Sequence, residues 1–157
     1  MLIIDWKAIL ELTFLILFVV GVIAIASIFL IRSILASYKE VFKYQSKFDI
    51  ELRKTLNLIS KVVNHEKLNE YSKMTIKDLS FEDKKKLMLL IDQQILYVDR
   101  SSEENTYIFE TYDNLHEVRR TRDSLALIYN QKIMMFPFNI YSRILKKQKW
   151  EIYTDNL

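Results

Sequence analysis

Two histidines, His65 and His116, are each followed by glutamate, the nearest this chain comes to metal chemistry. A zinc site on one helix needs two imidazoles four residues apart, as His-Glu-x-x-His supplies, so that both leave the same face. Here Asn69 and Arg120 hold the fourth positions, and a guanidinium repels a cation. The carboxylates Asp49, Glu51, Asp92, Asp99, Glu110, Asp113, Glu117 and Asp123 are numerous enough for an acid–base pair or a di-metal centre. A di-iron bundle, however, draws on Glu-x-x-His, which is missing. There is no cysteine nucleophile, and the single glycine leaves neither a phosphate loop nor a nucleophile elbow. The expectation is a chain that is not an enzyme, with no catalytic residue, no metal and no cofactor, its acids forming solvated helix faces.

The remaining polar residues of interest are Arg119, Arg120, Arg122, Asn130 and Asn139. Arg122 falls within an apolar stripe, where a charge is costly unless the side chain snorkels or meets an acid. Asp49 or Glu51, on a preceding helix, is the expected partner.

The elements that would position these residues are helical. One glycine, Gly21, and one proline, Pro137, leave almost nothing to turn β-hairpins. Apolar residues recur by threes and fours at Tyr38, Val41, Phe42, Phe48, Leu52, Leu56, Ile59 and Val63, which predicts a rod from residue 7 to about 68. Asn69 to Ser80 reads as a polar connection. Ser80 with Asp83, and Ser101 with Glu104, have capping-box spacing and predict two further helices. The first runs to about Asp99. The second carries Ile108, Tyr112, Leu115, Val118, Arg122, Leu125, Tyr129, Ile133 and Phe136 on one face, and a short helix from about Pro137 to Trp150 follows. The fold class is all-α, an antiparallel bundle of three long helices plus a short C-terminal one.

Leu12 to Ile31 carries no charge and is long enough to cross a bilayer core of roughly 30 Å as a helix. A cleaved leader is the alternative, since Ala24-Ile25-Ala26 has the small-x-small form. Against it, Asp5 and Glu11 surround Lys7, and the apolar run continues past the supposed cut. The expectation is therefore a retained anchor at residues 1–31 and a helical domain at 32–157. Lys7 stands before the span, and Arg32, Lys39, Lys43 and Lys47 follow it, which predicts the N-terminus outside and the domain in the cytoplasm. Setting Lys7, Asp5 and Glu11 aside from 23 basic and 20 acidic side chains leaves 22 and 18, too even a balance for a nucleic-acid partner. Lys146, Lys147 and Lys149 beside Trp150 form the one local basic cluster, a solvated helix end or a contact with anionic lipid.

The long helix expected to end near Pro137 closes on Tyr129-Asn130-Gln131-Lys132-Ile133-Met134-Met135-Phe136-Pro137-Phe138-Asn139. Tyr129, Ile133 and Phe136 share a helix face, and Pro137 denies the helix its next donor. The pattern Tyr-Asn-x-x-Ile-x-x-Phe-Pro-x-Asn resembles the C-terminal signature of the LemA family of bacterial membrane-anchored helical proteins. Upstream, Thr111, Leu115, Arg119 and Arg120 continue it, and Phe48-Asp49-Ile50-Glu51-Leu52-Arg53-Lys54 with Leu58-Ile59 is similar to the family's first soluble helix. Ser60-Lys61 replaces that helix's Pro-Asn, and the family's central Tyr-Pro is missing. Arg119, Arg120, Tyr129, Asn130, Ile133, Phe136, Pro137 and Asn139 are the motif positions, assigned to the bend of the fold, with Phe136 buried at the helix end. The resemblance implies a helical protein anchored in the cell membrane, and the leading expectation is a single-pass scaffold or interaction module. Its partners would be the lipid bilayer, further copies of itself through edges at Tyr38, Phe42, Tyr107 and Tyr112, and a membrane protein. The rival expectation is a tethered adaptor or sensor for a protein or lipid head group.

Overall fold

The computed structural model describes residues 6–154. Among them the regular structure is helical, without strands: α1 (Trp6–Val62), α2 (Glu66–Ser72), α3 (Phe81–Gln94), α4 (Thr106–Met134) and α5 (Phe138–Ile144), with short 3₁₀ turns at Ile76–Asp78, Ile95–Tyr97 and Glu103–Asn105. The all-α expectation is met. α1 begins six residues before the uncharged run and continues unbroken through it into the domain, because no glycine or proline interrupts it after Gly21. It ends at Val62, earlier than the periodicity suggested, and the supposed polar connection contains most of α2 and a 3₁₀ turn whose Ile76 is buried, as is Leu68 of α2.

α1 and α4 run antiparallel and form the spine of the bundle. Both bury a seven-residue repeat: Ile34, Val41, Phe48 and Thr55 on α1, and Ile108, Leu115, Arg122 and Tyr129 on α4. Two apolar clusters result. The distal one joins Phe48, Leu52, Leu56 and Ile59 to Leu68, Leu87, Ile91 and Leu115. The proximal one joins Ile34 and Val41 to Ala126, Tyr129 and Ile133, flanked by Tyr38, Trp150 and Ile152.

Helix ends follow local chemistry. Ser80 caps α3, its hydroxyl oxygen accepting the Asp83 N–H at 3.1 Å while its proton goes to Asp83 Oδ2 at 2.7 Å. Ser101 caps nothing. Its N–H and hydroxyl both donate to Asp99 Oδ1, at 2.9 and 2.7 Å, so α4 starts later, at Thr106, behind a 3₁₀ turn. α5 stops at Ile144 rather than near Trp150. Lys146 takes a left-handed φ of 51°, with Lys147 N–H donating to the Ser142 carbonyl at 2.9 Å and Lys146 N–H to that of Arg143 at 3.0 Å. This is a Schellman ending. It sends residues 147–154 back along α4 as a non-helical strap.

Candidate functional site

Between the two apolar clusters lies a polar layer. Gln45 on α1 and Arg122 on α4 both occupy core positions of their repeats, and Arg122 Nε donates to Gln45 Oε1 at 2.9 Å. Arg122 is only 1% exposed. Its Nη1 donates to Asp123 Oδ1 at 2.9 Å and to the Glu151 carbonyl, while its guanidinium lies over the rings of Trp150 and Tyr153 at 5.5 and 4.8 Å. The expected pairing with Asp49 or Glu51 is not made. Asp49 instead accepts from Lys84 of α3 at 2.9 Å and from Gln45 Nε2 at 2.9 Å, and Glu51 lies 4.0 Å from Lys54. Distance along the helix explains this: Gln45 stands a full turn nearer Arg122 than Asp49 does, and Asp123 is adjacent in sequence.

The strap is held by side chains acting as a second backbone. Asn130 donates Nδ2 to the Trp150 carbonyl and accepts the Trp150 N–H, both at 2.8 Å, as a neighbouring strand would. Asp123 accepts from Tyr153 N at 3.2 Å, Thr154 N at 2.9 Å and Thr154 Oγ1 at 2.8 Å. These bonds satisfy donors that a buried, non-helical segment would otherwise leave bare. Tyr153 stacks on Phe81 at 4.3 Å and Phe48 at 4.7 Å. Burial pushes its hydroxyl up to about 12, with Asp49 and Asp123 adding to the shift.

Beside this layer a cleft of about 480 Å³ is bounded by Gln45, Phe81, Lys84, Arg122, Trp150 and Glu151. A neighbouring cleft of about 540 Å³ shares Gln45, Lys84 and Trp150 and adds Phe42, Ile50 and Arg53. The charges at their floor are already matched: Lys84 with Asp49, Arg122 with Asp123. Such a network fixes helix register, as polar residues at core positions of helical repeats do.

His116 lies at the far side of the bundle, where Nε2 is 3.0 Å from Asp92 Oδ1 and Tyr112 donates to the same oxygen at 3.0 Å. Burial, with Asp92 adding to it, pushes Tyr112 up to about 12. Among the described residues no three histidine or carboxylate side chains converge to hold a metal ion.

The motif residues scatter over this frame. Tyr129 is fully buried, edge-on to Tyr38 at 5.8 Å, with its hydroxyl unpartnered and pushed up by burial. Asn130 holds the strap and Ile133 completes the proximal cluster. Arg119 is half-buried with an unpartnered Nε, and Arg120 is exposed. Pro137 and Asn139 form the bend, where Asn139 N–H donates to Met135 O at 2.9 Å. Phe136, expected in the core, is 78% exposed. Met135 already has a ψ of 143°, so the chain leaves the helix before Phe136 can follow Tyr129 and Ile133 onto the buried face. The edge residues also divide. Phe42 and Tyr107 are exposed, whereas Tyr38 packs on Trp150 and Tyr112 bonds Asp92.

Sequence reasoning missed Gln45, Lys84 and the strap, and it expected Asp123 on a solvated face where the structure buries it against Arg122 and the strap. The signal for Gln45 was present: a glutamine at a core position of the α1 repeat invites a polar partner on α4. No family model, curated protein or solved structure matches the chain.

Proposed function

We propose that the chain is a non-enzymatic, single-pass membrane scaffold of the LemA type, with its domain in the cytoplasm and copies associating in the plane of the membrane. One observation carries the reading. No residue in the apolar window of α1 is buried by the rest of the chain, yet the same helix continues into the domain and supplies the bundle's central face. An anchor of this kind transmits position and orientation rigidly. The exposed basic residues Arg32, Lys39, Lys43 and Lys47 after the apolar run support the cytoplasmic placement. Exposed Phe42, Ile50 and Tyr107 support self-association.

Two measurements test it. A protease added to intact cells should spare a C-terminal tag, and digestion would invert the orientation. The full-length protein in mild detergent should show several-fold the mass of one chain after micelle correction. A monomeric mass at high concentration would favour the second reading, a membrane-tethered adaptor, which the open cleft beside Phe42, Ile50 and Trp150 supports.

A further inference from the structure

The bend between α4 and α5 exposes Met134, Met135, Phe136, Ile140 and Ile144, at 54%, 62%, 78%, 48% and 69%. Five large apolar side chains at one tip form a patch that water does not favour. Its height along α1 is set by contacts. Tyr38 faces Tyr129 and Gln45 faces Arg122, seven residues apart on each helix, so on the same register Met134, the last residue of α4, stands level with Ser33, just past the end of the uncharged run. α5 reaches deeper. The Ser27 hydroxyl donates to the Ile23 carbonyl at 2.7 Å, which spends its one proton, so at 2.6 Å the Tyr141 hydroxyl is the donor and Ser27 the acceptor. Ser27 lies within the uncharged run, five residues before Arg32 and so roughly 7 Å inside its end at 1.5 Å per residue.

We infer that the α4–α5 bend is a second membrane-embedded element, a re-entrant tip that sits in the acyl region of the same leaflet as the C-terminal end of the α1 span. This rests on the reading of α1 as a membrane span. The occupant of the apolar patch is lipid, because α5, which carries Ile140 and Ile144, is bonded through Tyr141 to Ser27 within the uncharged run of α1. Two hydroxyls of the tip find their partners within the protein. Tyr141 has its partner on Ser27, and the one proton of the Ser142 hydroxyl lies between the Asn139 and Ile133 carbonyls at 3.0 and 3.2 Å, while Asn139 Oδ1 is left without a partner. Cations ring the tip at the level of the head groups. Lys132 Nζ reaches Ser37 Oγ at 2.5 Å and Ser33 Oγ at 3.4 Å, Lys147 Nζ lies 3.8 Å above the Tyr38 ring, and Arg143 and Lys146 are exposed. A domain pinned to the bilayer at both α1 and this tip cannot swivel about its anchor.

The absence of native cysteine makes the test direct. Single variants Phe136→Cys, Phe18→Cys and Glu103→Cys of the full-length protein are labelled with an environment-sensitive fluorophore and reconstituted in vesicles of neutral and anionic phospholipid. Nitroxide-bearing lipids and aqueous iodide then serve as quenchers. At position 136 the expected result is quenching by a shallow-labelled nitroxide lipid and protection from iodide; at position 18, quenching by a deep-labelled lipid; at position 103, quenching by iodide alone. Position 136 open to iodide with position 18 quenched by lipid would overturn the tip while keeping the span. Protection of position 136 from both quenchers would also overturn it, showing a second copy on the patch. Loss of lipid quenching at position 18 would instead remove the span on which the inference rests.

Discussion

Arg122 is the residue on which most of the domain's polar order converges, since its guanidinium is shared by Gln45, Asp123, Glu151 and two rings. A buried charge is tolerated only with its partner present. Asp123→Ala should therefore cost about 3–5 kcal/mol, and the double variant Arg122→Met with Asp123→Leu should recover part of that loss. Urea unfolding of the detergent-solubilised protein measures both. Tyr153 gives a pH signature. Its hydroxyl is raised by burial from near 10 to about 12, so the folded state holds the proton more tightly than the unfolded one. The resulting stabilisation is fully present below pH of about 10 and is lost as pH rises through about 12. Tyr153→Phe should flatten the alkaline fall in melting temperature over that window, leaving the part due to Tyr112, which is raised in the same way.

At the scale of elements, the ending of α5 matters more than its length. Lys146 adopts a left-handed backbone that glycine takes without a Cβ penalty, and it does so where the chain must reverse to form the strap. Lys146→Gly should stabilise the protein by about 1 kcal/mol, the relief of that strain less the added chain entropy. A fall in melting temperature would mean that the lysine side chain contributes more than its backbone costs. The spacing of apolar residues made α1, α3 and α4 legible, as did the cap at Ser80. The start of α4 was not legible at Ser101, because Asp99 competes for the same N–H and hydroxyl. Nor was the strap, whose hydrogen bonds come from side chains 20 and more residues away.

For the molecule as a whole, the strap closes what a bundle of two long helices leaves open. Trp150 covers Tyr38, while Tyr153 fills the space between Phe48 and Phe81. Ending the chain at Lys149 would uncover both clusters and strip Asp123 and Asn130 of their partners. The expected outcome is a fall in thermal stability that takes up much of the roughly 5–15 kcal/mol typical of a domain, read by circular dichroism against the full-length protein. An unchanged melt would show that α1 and α4 alone hold the fold.

The sequence by itself determined the helical class, the uncharged run that can cross a bilayer and the unbroken passage from that run into the domain. These are one-dimensional properties: periodicity, length, and the scarcity of glycine and proline. Tertiary structure alone decided where the motif residues face. Tyr129, Ile133 and Phe136 share a face only while the helix lasts, and the turn at Met135 leaves two of them in the core and the third on the surface. It also decided the partner of Arg122. Several acids lie within reach of an arginine in sequence terms, and the choice falls to the geometry of α1 against α4, which no local pattern encodes.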